Sequence, residues 1–286
     1  MSTEIYYFSG TGNSLFVAKE LQKRLPESVL IPMVSLMEGR SIQTKGKTIG
    51  LVFPVHALTI PIIVKKFLDR TDFGSSEYIF AIATRAGSIF RGFEKMERLL
   101  RKKGKRLDSH FILNMYNNES RHEGYKMPAE SDILSIEKIV SDRLDYIQNI
   151  INNKIVSRDK DSDYTVEFRH RPFTNYFLEK LVLSGMTISE YIGGVNYFYA
   201  DSGCISCGIC EKVCLSKKIK IVDKKPVWQR KVLCYMCFAC LNFCLEKSVQ
   251  IEDIPGVKSY TKENSRYPHP YASVKDISVQ KDVCGN

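Results

Sequence analysis

A chain of 286 residues, 44% apolar and 26% charged, has the composition of folded domains and room for two of them, so disorder is excluded. It contains no apolar run near the roughly 18 residues that a membrane span needs. Its start, Met1-Ser2-Thr3-Glu4, lacks the basic-then-apolar pattern of a secretory signal, so a cytoplasmic protein is expected. The net charge of +10 is carried by the two ends, with 19 basic and 12 acidic groups in residues 1–125 and 14 and 9 in residues 201–286. Without a nucleic-acid-binding motif this reads as a solvated basic surface or a face for an acidic protein partner, and no nucleic acid is expected.

The first 120 residues alternate short apolar runs with helical periods. Strands are predicted at Ile5–Phe8, Val29–Met33, Thr48–Phe53, Tyr78–Thr84 and His110–Met115. Helices are predicted at Asn13–Leu25, Ile60–Leu68, Phe90–Lys103 (stopped by Gly104) and Asp132–Asn152, the last with Ser131 as its N-cap. Runs such as TIGLVF and YIFAIAT are apolar throughout, as strands covered on both faces should be. The βαβ order predicts an α/β fold, a doubly wound parallel sheet of five strands in the flavodoxin-like order 2-1-3-4-5. Ligands of such sheets sit beyond the carboxyl ends of the strands, so the loops after Phe8, Phe53 and Thr84 are where chemistry is expected. This domain is assigned to residues 1–156 and a linker with a connecting helix (Asn175–Gly185) to 157–200. A cysteine-rich domain is assigned to 201–254, and a tail draped over the surface to 255–286; each domain is expected to have its own core.

The first loop is Ser9-Gly10-Thr11-Gly12-Asn13-Ser14, between a predicted strand and a predicted helix. Glycines let the backbone approach an anion, the helix N-terminus offers N–H groups, and Ser9, Thr11 and Ser14 add hydroxyls. The segment fails both the Walker pattern and the dinucleotide fingerprint. Its pattern, [ST]-x-T-G-x-[ST], resembles the phosphate loop of flavodoxins, which bind FMN. That resemblance places the ring-binding loops at Pro54-Val55-His56-Ala57 and Thr84-Arg85-Ala86-Gly87. Flavodoxins usually stack an aromatic residue on the ring there. This chain offers His56 and no aromatic before Phe90, which leads us to expect a more open flavin face.

Residues 1–203 contain no cysteine, and eight of the nine fall between Cys204 and Cys244. Cys204-x2-Cys207-x2-Cys210-x3-Cys214 is followed by Cys234-x2-Cys237-x2-Cys240-x3-Cys244 with identical spacing. Structural zinc takes paired Cys-x2-Cys knuckles, which triplets with a lone fourth fit badly. In the two-cluster ferredoxin pattern the fourth cysteine ligates the other cluster. That pattern assigns Cys204, Cys207, Cys210 and Cys244 to one [4Fe–4S] cluster and Cys234, Cys237, Cys240 and Cys214 to a second. The proline that the pattern carries after each fourth cysteine is replaced by Leu215 and Leu245. Ile219–Val222 and Pro226–Trp228 are predicted to form a hairpin, with Trp228 in a packing role, and Cys284 is read as a free thiol near the chain end.

A flavodoxin-like first half followed by a two-[4Fe–4S] half resembles the fused flavodoxin–ferredoxin proteins of anaerobes, the EFR-type ferredoxins. The resemblance extends to Arg266-Tyr267-Pro268-His269-Pro270 and to Met115 and Asn118. It implies a small bacterial-type two-cluster ferredoxin domain, FMN, two cubane clusters, and electron transfer between clusters and flavin. The implied partner is an acidic ferredoxin-like redox protein or a small-molecule acceptor. A dedicated reductase, with His56 or Arg85 supplying a proton or a charge to a small substrate, is the alternative, and an accessory protein with structural clusters a third. The resemblance supplies no substrate.

Overall fold

The structure, a computed structural model, describes residues 3–39, 41–56, 58–87, 90–160, 196–253 and 258–282, with positions 181, 184, 185 and 188. Ala57, Cys284 and the helix expected over Asn175–Gly185 lie outside the described residues, apart from three positions of that helix.

Strands β1 (Thr3–Tyr7), β2 (Ser28–Pro32), β3 (Thr48–Pro54), β4 (Tyr78–Arg85) and β5 (Ser109–Asn114) form one parallel sheet in the order β2-β1-β3-β4-β5. This is the flavodoxin-like order. The register brings Tyr7 opposite Val52 and Phe53 opposite Ala83. Pairing runs on past the strands, with Phe8 N–H donating to Val52 O at 3.0 Å and Val55 N–H to Thr84 O at 2.8 Å. The loops after β1, β3 and β4 therefore emerge side by side at one edge. β3 is buried over six of its seven residues because helices cover both faces of the sheet.

The helices are α1 (Asn13–Arg24), α2 (Ile62–Arg70), α3 (Gly92–Arg101) and α4 (Glu130–Asn152). Ser131 does not cap α4. The N-cap is Ala129, and Glu130 and Asp132 in the first turn supply the negative charge that the helix dipole favours. α1 and α4 are tied by Arg24, whose Nε donates to Asp145 Oδ1 at 2.6 Å and whose Nη2 donates to Ser141 Oγ at 2.7 Å.

In the cysteine-rich part, β6 (Phe198–Ala200) pairs antiparallel with the returning strand Val249–Ile251. Between them lies the expected hairpin, β7 (Ile219–Val222) and β8 (Lys225–Trp228). Its two turn residues, Asp223 (φ 47°) and Lys224 (φ 61°), are both left-handed, the type I′ geometry whose twist matches the strands. Each cysteine motif contributes one helical turn, α5 (Ile209–Lys212) and α6 (Ala239–Asn242). The 30-residue repeat is also written in the backbone. Left-handed residues occur at corresponding places: Ser206 and Met236, Gly208 and Phe238, Lys217 and Lys247.

The expectation of separate cores and a draped tail is not met. One apolar cluster runs from the sheet through Val213, Leu215, Ala239 and Phe243 to Ala272 and Ile277 of the tail. A smaller cluster joins Phe198, Ile219, Leu241, Val249 and Ile251, with Trp228 packed at its side. The tail lacks the long apolar period that would have revealed it. Its helix α7 (Val274–Ser278) spans five residues, started by a capping box between Ser273 and Asp276, and it buries Ile277 alone. Among the described residues no helix is long and apolar enough to cross a membrane.

A shared core predicts shared unfolding. Ile277 is completely buried, and Ile277→Ala should cost about 2–5 kcal/mol. Denaturant unfolding followed by far-ultraviolet circular dichroism and by Trp228 fluorescence should move together in this variant. A fluorescence transition that shifts alone would show that the two parts unfold independently.

Candidate functional site

A cavity of about 450 Å³ lies at the carboxyl edge of the sheet. Of the residues singled out in the first loop, Ser9, Gly10, Thr11, Asn13 and Ser14 line it. Pro54, Val55 and His56 line it from the second loop, and Thr84, Arg85 and Ala86 from the third. Gly12 and Gly87 are not among the lining residues, although both take left-handed φ values, 108° and 90°.

The first loop is set up as a donor. Ser9 Oγ accepts from Gly12 N–H at 3.2 Å, and Thr11 Oγ1 accepts from Asn118 Nδ2. A hydroxyl that already accepts keeps its own proton to give. Ser14 Oγ is bonded to Thr84 Oγ1 at 2.8 Å, joining the first and third loops. Asn13 Nδ2 donates to Tyr116 O at 2.8 Å, while its Oδ1 is buried without a partner.

The two glycines also allow close approaches within the chain. A β-carbon on Gly10 would lie 2.1 Å from the carbonyl oxygen of Cys237, and one on Gly12 would lie 2.5 Å from Ala272 Cβ and 2.6 Å from His269 Cβ. Both make room for parts of the chain more than 220 residues away in sequence.

The tail grips this loop. Gln280, fully buried, accepts from Ser9 N–H at 3.1 Å and donates to Ser9 O at 2.8 Å. His269 N–H donates to Thr11 O at 2.7 Å, and the His269 ring stacks on Phe16 at 4.7 Å. Lys19 and Asp276 form an ion pair at 2.8 Å. Burial lowers the His269 imidazole to about 4. Glu137 Oε1 lies 3.5 Å from its Nε2, but burial raises that carboxyl as well, so the contact is not a firm ion pair. His56 is likewise lowered to about 4, first by burial and then by Lys65, against a backbone hydrogen bond with Tyr235. It is neutral near pH 7 and packs edge-on to Phe8 at 5.9 Å.

The cysteines fall into two electrostatic groups. Cys210 is pushed up to about 12, chiefly by burial and further by Cys244, Cys204 and Cys207. Cys237 is pushed up to about 12 and Cys234 to about 11, again by burial first, with Cys214 acting on both. Cys240 feels Cys214, Cys237 and Cys234, and more weakly Cys210. Backbone N–H groups of Glu211, Met236 and Ala239 oppose these shifts at Cys210, Cys234 and Cys237. Each group thus takes its fourth member from the other motif. Among the described residues no three His, Cys, Asp or Glu side chains converge on a single-ion site.

Sequence reasoning misses the cavity's other wall. Tyr116 and residues 117–119, 121 and 122 come from the loop after β5; Tyr197, Met236, Cys237 and Phe238 come from the cysteine-rich part. Aromatic rings, absent from the second and third loops before Phe90, thus reach the cavity from Tyr116, Tyr197 and Phe238. Asn118 stands out as a motif position, but nothing local announces the contacts of Tyr197 or Phe238.

No family model matches the chain, and no curated protein matches it. Among solved structures, a mutant flavodoxin from Pseudomonas aeruginosa is 16% identical, spans 53% of this chain and 99% of its own, and has a TM-score of 0.37. An NAD(P)H:quinone oxidoreductase from Methanothermobacter marburgensis is 13% identical over 52% of this chain and 95% of its own, with a TM-score of 0.37. An FMN-dependent NADH-azoreductase from Bacillus anthracis, solved in complex with FMN, is 11% identical over 52% of this chain and all of its own, with a TM-score of 0.36.

The buried histidine yields a pH dependence. His269 has a folded value near 4 against an ordinary 6.5, so between those values the unfolded chain binds a proton that the folded chain refuses. Its contribution is fully present above pH 6.5 and is lost as the pH falls towards 4. The melting temperature should therefore fall across that window, and His269→Gln should make the fall shallower. An unchanged slope would mean that the imidazole is protonated in the folded state.

Proposed function

We propose that the chain is an electron-transfer protein that holds FMN in the cavity and two [4Fe–4S] clusters in the crossed cysteine groups, linking a low-potential one-electron donor to a flavin-based acceptor. The observation that carries this reading is that Met236, Cys237 and Phe238 of the second motif wall the same cavity as the first loop. When bound, the clusters supply one-electron chemistry and the flavin supplies both one- and two-electron chemistry.

The residues present fit these groups. The hydroxyls of Ser9 and Thr11 have protons to give to a phosphate, and Asn13 Oδ1 is a buried acceptor that awaits a donor. Arg85 and Arg121 make the lining more positive than the single carboxylate, Glu119, makes it negative, which suits a phosphate dianion. Burial first, and neighbouring thiols second, raise Cys210, Cys234, Cys237 and Cys240, and coordination to iron would remove those protons. Backbone N–H groups directed at Cys210, Cys234 and Cys237 would stabilise negative sulfur. Phe8 against Tyr235 (6.2 Å, edge-on) and Asn242 Nδ2 donating to Asn118 O (3.1 Å) hold the second motif on the cavity. The basic surplus of residues 201–286 supports an acidic redox protein as the partner.

Protein purified without oxygen should carry about eight irons and one FMN per chain. Zinc without sulfide, or no flavin, would overturn the reading. Thr11→Ala should weaken FMN binding by about 1–3 kcal/mol with iron unchanged. Gly10→Ala should lower iron content as well, although residue 10 is far from any cysteine in sequence, because its β-carbon strikes the Cys237 backbone. Full iron content in that variant would show that the second motif does not seat on the first loop.

A further inference from the structure

Among the described residues Arg121 has no partner equal to its charge. It lies on the cavity wall, and its Nε and Nη2 are buried without a hydrogen-bond acceptor. Its guanidinium carbon lies 5.7 Å from the centroid of the Tyr197 ring. A ring face attracts the cation but cannot accept its in-plane N–H groups. The neighbouring acid, Glu119, is engaged by His122 at 3.3 Å, and among the described residues no carboxylate is paired with Arg121. Arg85, the cavity's other arginine, donates through Nε to Asn114 Oδ1 at 3.0 Å.

The loop that carries Arg121 is held on both sides. Tyr260 N–H donates to Arg121 O at 3.0 Å, and Asn264 Nδ2 donates to Ser120 O at 2.8 Å and to His122 O at 2.6 Å. The side chain cannot swing to water without losing the Tyr197 contact. Leaving two buried donors of a charged group unanswered is unfavourable, so the arrangement calls for an acceptor from outside the protein.

We propose that Arg121 receives the carboxylate of a small planar acid that lies beside the flavin against Tyr197 and Phe238. The fork of a guanidinium matches a carboxylate in two parallel bonds. The first loop already supplies hydroxyls for a flavin phosphate, so the arginine is not needed there. The two flanking aromatic rings favour a flat, conjugated ligand. The inference rests on the flavin reading and adds to it a second ligand in the same cavity.

The test uses flavin-loaded protein, with loading measured by absorbance, and benzoate as the probe. Benzoate should perturb the flavin spectrum saturably, and Arg121→Gln should weaken that response about tenfold or more while FMN affinity stays within about twofold. Tyr197→Leu, which keeps the arginine and removes the ring beneath it, should weaken benzoate with flavin retained. No saturable response in loaded wild-type protein, or an equal response in Arg121→Gln, would overturn the proposal. So would a tenfold loss of FMN affinity in Arg121→Gln, which would make the arginine a flavin ligand, or displacement of benzoate by equimolar inorganic phosphate. Protein that takes up no flavin refutes the flavin reading instead, and it is recognised before any benzoate is added.

Discussion

Residue 10 has no side chain, and the rest of the arrangement depends on it. Only a glycine lets the first loop of the sheet lie against the backbone of Cys237, where a β-carbon would sit 2.1 Å from the carbonyl oxygen. That contact makes the second cysteine motif a wall of the cavity rather than a neighbour of it. Tyr235 against Phe8 and the bond between the Tyr235 backbone and His56 follow from the same approach. The distance between the cavity and the second cysteine motif is controlled by backbone packing, which a rotamer change cannot relax.

Such an approach is costly to hold unless polar groups caught between the parts are answered. Asn242, almost fully buried, answers three of them. Its Nδ2 donates to Asn118 O and to Phe238 O, both at 3.1 Å, and its Oδ1 accepts from Tyr267 N–H at 3.0 Å. One side chain thus joins the loop after β5, the second cysteine motif and the tail. Arg266 adds to this beside it, donating through Nη1 to Asn264 O at 3.1 Å and through Nη2 to Val249 O at 3.1 Å, although its Nε is left unanswered. Answered buried polar groups favour one docking register over others, because any slip leaves them unpaired. The tail then closes the first loop through Gln280 and His269, so the hydrogen bonds of that loop are complete only when the tail is in place.

The parts of this molecule that are legible in the sequence are those whose signals are local. Continuous apolar runs announce β3 and β4, because burial on both faces removes alternation. The cysteine spacing announces a repeat because both copies keep the same offsets. The glycines are legible as glycines, but the reason for them is not. Gly10 and Gly12 face Cys237 and His269, and no window of sequence contains both partners. Arg121 reads as one more surface charge, since its burial comes from Tyr197 across the cavity. The tail is illegible because it uses single anchors, Tyr267, Ile277 and Gln280, instead of a periodic face.

The duplicated motif shows what such long-range demands do to a local pattern. The two copies share spacing and the positions of left-handed residues, yet their side chains diverge according to which way each copy faces. In the first copy Ile205 is 61% exposed and Lys212 is in solvent; their counterparts are Tyr235, packed on Phe8, and Asn242, buried at the junction. Gly208 accepts a positive φ at no steric cost. Its counterpart, Phe238, takes the same conformation at about 1 kcal/mol or more, and its ring lines the cavity and packs against Phe198 at 6.0 Å. A phenylalanine is a poor choice for that backbone and a good one for that wall. Where local preference and the cavity disagree, the second copy follows the cavity and the first follows the backbone. Under the proposed reading this sets the two cysteine groups apart in role. On that reading the group reached through exposed Cys207 and Ile205 would meet a partner from outside, and the group framed by Met236 and Phe238 would meet the flavin.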